Sequence, residues 1–244
     1  MSWVIARITL RQLLSRRRTL LLLLLGGVLV LAAGIFRLAG EEARALPFTA
    51  GLLSNLGIGT LMPLVALIFG TGAIGAEIED GTAIFLLAKP IRRSTVVLTK
   101  LAVAALCAAA LTCGPMLVAG LIAAGGWGEG LVLGMVAAAA IGSILYSSVF
   151  VALSLVTGRA LVFGLGYVLI WEGLLAGLFA GTRTFSVRQL TLAFADAIGG
   201  IPADVFDAPL GLTTAVVVGM ALLVLTTAIA IRRLSAFEIS GEAA

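Results

Sequence analysis

The feature that most constrains this chain is a set of six long apolar runs: Thr19–Ala39, Leu52–Ala76, Val96–Ala124, Leu131–Val156, Ala160–Ala180 and Leu210–Ile231. The hydrocarbon core of a bilayer is about 30 Å thick, and a helix crosses it in roughly 20 residues. Every run meets that length. Composition agrees, with 61% hydrophobic and 11% charged residues, where a soluble domain carries about 45–50% apolar and about 25% charged. A water-soluble globule is excluded. The expected fold class is therefore all-α integral membrane: six transmembrane helices forming one domain over residues 1–244, without an internal repeat. The first run is longer than the h-region of a signal peptide, about 7–15 residues, and no A-x-A site follows it cleanly. It is expected to stay as the first span.

Basic residues orient the spans. Arg7, Arg11, Arg16, Arg17, Arg18, Lys89, Arg92, Arg93, Lys100, Arg159, Arg232 and Arg233 fall on one side, twelve of the sixteen Lys and Arg. Arg37, Arg44, Arg183 and Arg188 fall on the other, among six carboxylates. Cytoplasmic segments collect Lys and Arg, so both termini are expected in the cytoplasm. The net charge of +4 is thus a matter of topology and gives no reason to expect nucleic acid.

Several chemistries are absent from the residues themselves. The chain has no histidine, which removes His-based triads and His metal sites. No metal site and no catalytic residue are expected. Cys107 and Cys113 are six residues apart, about 120° from alignment on one helix, and read as packing residues. No G-x-x-x-x-G-K-[ST] stretch is present, so this chain has no P-loop to cradle a nucleotide.

Ser2–Arg18, ahead of the first span, is amphipathic. Trp3, Ala6, Leu10, Leu13 and Leu14 gather on one side of a helical wheel, with Arg7, Arg11 and Arg18 as an adjacent stripe. This is the pattern of a helix lying in the headgroup plane. It reads either as an anchor alone or as a helix that also leans on a cytoplasmic partner.

Beyond the fifth run, Gly181–Pro209 is too long for a turn and too interrupted for a span. Ser186–Ile198 is expected to be a short helix, with Ser186 as N-cap and Gly199–Gly200 as its stop. It is either an interfacial helix on the outer surface or a re-entrant element. Within the fifth run stands Glu172, about 18 Å along from Ala160 at 1.5 Å per residue. An ionisable group at that depth must face protein or water. It reads either as structural glue, paired with Tyr146 or Ser147, or as a lining of the transport pathway with Trp171 beside it. The small residues Gly114, Gly120, Ala138, Gly142, Gly164 and Gly166 are expected to allow close helix contact, and Pro63 and Pro115 to kink their spans.

The loop between the second and third runs carries the most information. Glu77, Glu79 and Asp80 open it, and Asp80 is placed to cap a helix. Gly81 permits a tight turn, and Thr82–Ala88 makes about two turns with apolar Ile84, Phe85 and Leu87. Pro90 stops the helix, and Arg92 and Arg93 lead into the third run. The order E-x-E-D-G-T-x-x-x-L-L-x-x-P-x-x-R resembles the permeases of the ABC type-2 exporter family, six-span subunits with such a stretch ahead of the third span. The likeness is close over about 24 residues of this loop and looser over the whole chain, through its six-run layout and amphipathic start.

The resemblance implies a coupling helix resting on a separate ATPase subunit. Glu77, Glu79, Gly81, Thr82, Pro90 and Arg92 match the family's patterned positions, and Asp80, Phe85 and Arg93 share the docking surface. It further implies ATP and magnesium on that partner and no cofactor in this chain. A second permease copy, or a homologous one, is the other expected partner, in the plasma membrane of a bacterium. The competing class is a secondary transporter or channel driven by an ion gradient. That would favour paired ionisable residues at mid-membrane and inverted repeats, whereas Glu172 stands nearly alone.

Overall fold

The computed structural model describes residues 2–13, 16–40, 42–79, 92–128, 130–176 and 180–236. All regular elements among them are helical. They are α1 (Ser2–Leu13), α2 (Arg16–Leu38), α3 (Ala45–Gly51), α4 (Met62–Glu79), α5 (Arg93–Ala124), α6 (Leu131–Val156), α7 (Ala160–Gly166), α8 (Val187–Gly199) and α9 (Leu212–Ser235). Two π-helical segments, Leu52–Leu61 and Tyr167–Leu175, continue α3 into α4 and extend α7. Single 3₁₀ turns cover Glu42–Arg44 and Ala180–Phe185.

Among the described residues, five helical stretches are long and apolar enough to cross a membrane: Thr19–Leu38, Glu42–Gly75, Arg93–Ala124, Leu131–Val156 and Leu212–Ser235. The fifth expected run is represented by a shorter apolar helix, Ala160–Leu175. Helix α6 matches its expected bounds at both ends. The second run departs most, because helix begins at Ala45 and not at Leu52. Pro47 lies in the first turn there, where its missing N–H has no intrahelical acceptor to lose.

Helix α6 is the hub of the fold, with α4, α5, α8 and α9 all packed on it. Tyr146 and Phe150 stack at its centre and are fully buried. Helices α2 and α9 are peripheral and turn Leu21, Leu24, Leu31, Val217 and Leu225 outward, side chains suited to contact with hydrocarbon. At the N-terminus of α2 lies α1, packed on α5 and α4. The stripe it buries is Ile5, Thr9 and Leu13. Leu10, expected on that face, is exposed with Arg7 and Arg11. Spacing identified an amphipathic helix, but the four-residue repeat of Ile5, Thr9 and Leu13 is what meets the neighbouring helices, and Thr9 satisfies its hydroxyl on Ile5 O.

The two prolines act differently. At Pro63 the disturbance takes the form of the π segment just before it, where the Met62 N–H bonds Gly57 O, five residues back. A widened turn relieves the crowding between a proline ring and the preceding carbonyls. Helix α5 runs through Pro115 as one element, and Gly26 of α2 lies against the ring, with room for no Cβ.

Candidate functional site

Where the C-terminal end of α4 meets the N-terminal part of α5, Lys100 is 1% exposed. Its ammonium donates to Ala73 O at 2.7 Å and pairs with Glu77 Oε1 at 2.6 Å. A buried charge requires such a pairing. The pair clamps the two helices just where the informative loop leaves α4, and Arg92 is the N-cap residue where the chain re-enters helix in α5. Glu77 and Arg93 belong to the described helices. Glu79 closes α4, its side chain lying outside the described part, and Asp80, Gly81, Thr82, Phe85 and Pro90 also lie outside the described residues. So do the side chains of Trp3 and Arg18. The significance of Lys100 for the loop could have been read from its spacing, four residues after the start of the third run, with the Glu77 carboxylate one residue past the end of the second.

A second polar centre lies at mid-molecule. Glu172 is 2% exposed. Its Oε1 accepts from the Tyr167 hydroxyl at 2.9 Å and from the Val187 N–H at 2.8 Å, and its Oε2 accepts from the Ser186 hydroxyl. Ser186 in turn caps α8 by accepting from Gln189 N–H at 3.2 Å. The carboxylate thus sits at the N-terminus of α8, where unpaired N–H groups and the helix dipole favour an anion. Tyr167 is five residues ahead of Glu172, the repeat of the π segment that carries both. Of the two expected partners, Tyr146 and Ser147 are both fully buried, and neither hydroxyl makes a hydrogen bond among the described residues. Trp171 is half-buried next to the carboxylate in the chain.

From this centre α8 runs alongside α6. Thr191 lies against Gly142, where an added Cβ would come within 2.5 Å of its hydroxyl. Farther along, a Cβ on Gly134 would stand 2.5 Å from Ala195 O and 2.6 Å from Gly199 Cα. Helix α8 ends at Gly200, whose φ of +55° ends the helix in the left-handed conformation. On its other side, Arg188 Nη2 donates to Asn55 Oδ1 at 2.8 Å in the first π segment. So α8 is tied to both π segments, to one through Glu172 and to the other through Asn55. The Asn55 and Arg188 pairing carried no signal in the sequence, being 133 residues apart.

No curated protein matches the chain. A family model described as ABC-2 family transporter protein matches residues 13–182. That stretch takes in the first four membrane-crossing helices, the shorter fifth helix, the Glu77–Lys100 clamp, both π segments and Glu172. With the family's model laid over more than half its length, this chain belongs to the ABC-2 family of transporter proteins.

Proposed function

We propose that this chain is the membrane-spanning permease subunit of an ATP-driven exporter, a non-catalytic subunit coupled to a separate ATPase that carries ATP and magnesium. The observation that carries this reading is the family match over residues 13–182, and the lack of a P-loop in residues 1–244 supports hydrolysis on a separate subunit. The segment 77–95 docks on that ATPase through Glu77, Glu79, Asp80, Gly81, Thr82, Phe85, Pro90, Arg92 and Arg93. The buried Glu77–Lys100 pair supports the role by holding both ends of the segment to one point.

The fold in this reading is a six-span one. Ala160–Leu175 measures at most about 24 Å at 1.5 Å per residue, short of the roughly 30 Å core. Helix α8 completes the crossing as a re-entrant element, a role supported by its packing on α6 between Gly142 and Gly134. Both termini lie in the cytoplasm of a bacterial cell, and α1 rests on the inner membrane surface. Two permease copies related by a two-fold axis enclose the pathway. Exposed Asn55 and Thr60, with Arg188 beside them, face that pathway, since polar groups at membrane depth are tolerated where they border water or protein.

The test is gentle extraction of the tagged chain from its native membrane, with identification and stoichiometry of what co-purifies. A P-loop ATPase in equal ratio is the expected result. A chain that purifies alone and moves solute down an ion gradient would overturn the reading in favour of a secondary transporter.

A further inference from the structure

We propose that Arg188 and Asn55 form a recognition site for the acidic head of an amphiphilic cargo in the outer half of the membrane; this rests on the pathway reading above. The argument begins with depth. Gly142, near the middle of α6, lies against both Thr191 and Met62. Asn55 is seven residues outward of Met62, about 10 Å along a helix, which keeps it within a half-core of about 15 Å. A guanidinium at that depth requires a counter-charge, or water, or a polar cavity.

Among the described residues no carboxylate lies in ion-pair distance of Arg188. Both oxygens of Glu172 are engaged by Tyr167, Ser186 and the Val187 N–H. The guanidinium makes one bond, to Asn55 Oδ1, and its Nε is buried without an acceptor among the described residues. Asn55 is itself held in place. Its side-chain nitrogen donates to Gly51 O at 2.9 Å, which aims Oδ1 at Arg188, and its backbone carbonyl accepts from the Thr60 hydroxyl at 3.1 Å.

The guanidinium rests on Gly59, where a Cβ would come within 3.1 Å of Nε. The glycine therefore allows the cation to lie against the π segment, with Nη2 on Asn55, Nε covered and Nη1 making no hydrogen bond among the described residues. A planar fork fixed at one end and unengaged at the other suits a carboxylate, phosphate or sulfate group, which it binds through paired charge-assisted hydrogen bonds. Leu56, 42% exposed beside Asn55, offers apolar surface to the remainder of the cargo. The chemistry that fits is an anionic head on an apolar body.

The experiment uses the full chain in phosphatidylcholine nanodiscs, without ATPase, and equilibrium dialysis against dodecyl phosphate, dodecyl maltoside and dodecyltrimethylammonium, with empty nanodiscs as the background. Dodecyl phosphate is expected to bind saturably and about tenfold or more tighter than the other two. Arg188→Gln abolishes that preference, Arg188→Lys keeps part of it, and Asn55→Ala weakens it by less. Equal binding of the three probes would overturn the proposal without any variant. So would an R188Q variant that binds dodecyl phosphate like the parent chain, or R188Q and N55A variants that lower the unfolding temperature alike while the head preference stays, which would make the pair a structural tie only. Inorganic phosphate displacing dodecyl phosphate at equal concentration would remove the amphiphile from the proposal and overturn it as stated. Because no ATPase is present, these outcomes are independent of the co-purification result.

Discussion

Among the described residues, the carboxylate of Glu172 accepts from three donors on two elements, and Lys100 is enclosed with a single carboxylate partner. Each is a charge made tolerable by neighbours, so removing one side of either arrangement leaves buried polar groups unsatisfied. Glu172→Ala is expected to destabilise the purified protein by about 1.5–3 kcal/mol, the scale of a hydrogen bond to a charged group. Glu172→Gln keeps an acceptor for Val187 or Ser186 and should lose less. Unfolding midpoints in one detergent would compare them, and equal midpoints for the parent and Ala variants would show that Glu172 does not hold α8. Lys100→Met removes the ammonium that pairs with the Glu77 carboxylate and should cost about 3–5 kcal/mol. The exchange Glu77→Lys with Lys100→Glu should recover most of that loss, and no recovery would mean that the Ala73 carbonyl, and not the ion pair, is what matters.

Among the elements, glycine decides how closely helices approach. Of the small residues expected at interfaces, Gly120 meets Val132, Gly142 meets Thr191 and Met62, and Gly164 meets Leu67. Ala138 is fully buried, whereas Gly114 and Gly166 have no neighbour within 4 Å of an added Cβ. Gly26, Gly57, Gly70 and Gly134 also make close contacts that no spacing rule singled out. A glycine in an apolar run signals that close approach is permitted, and only the facing helix determines whether it is used. Gly134→Ala drives a methyl group into the backbone of α8 and should cost about 1–3 kcal/mol. Gly27→Ala, with open space around it, should be neutral or gain up to about 1 kcal/mol of helix propensity. Thermal midpoints of the two variants side by side check this, and identical shifts would mean that α8 does not lie where it packs here. The limits of α8 were legible in advance because caps are local. Ser186 supplies its oxygen to a backbone N–H three residues on, and Gly200 takes the left-handed conformation that ends the helix.

For the molecule as a whole, the coupling reading makes its own prediction. Gly81→Pro or Glu79→Lys should insert normally yet release the ATPase or abolish its stimulation by cargo, as read from co-purification and ATP hydrolysis in the same preparation. Normal transport by both variants would remove the docking role of the 77–95 segment.

Apolar run length, the asymmetry of basic residues and the caps of α8 are legible in the sequence alone. Each depends on residues close together in the chain and on a bilayer of known thickness. The tertiary structure decided the rest: that Glu172 caps α8, that Lys100 locks onto Glu77, that α1 buries Ile5, Thr9 and Leu13, and that Arg188 meets Asn55. Nearly every helix here is apolar on several sides, so hydrophobic pattern carries little information about which face meets which neighbour. Packing shape and the need of each buried polar group for a partner make that choice, and both exist only once the helices are assembled.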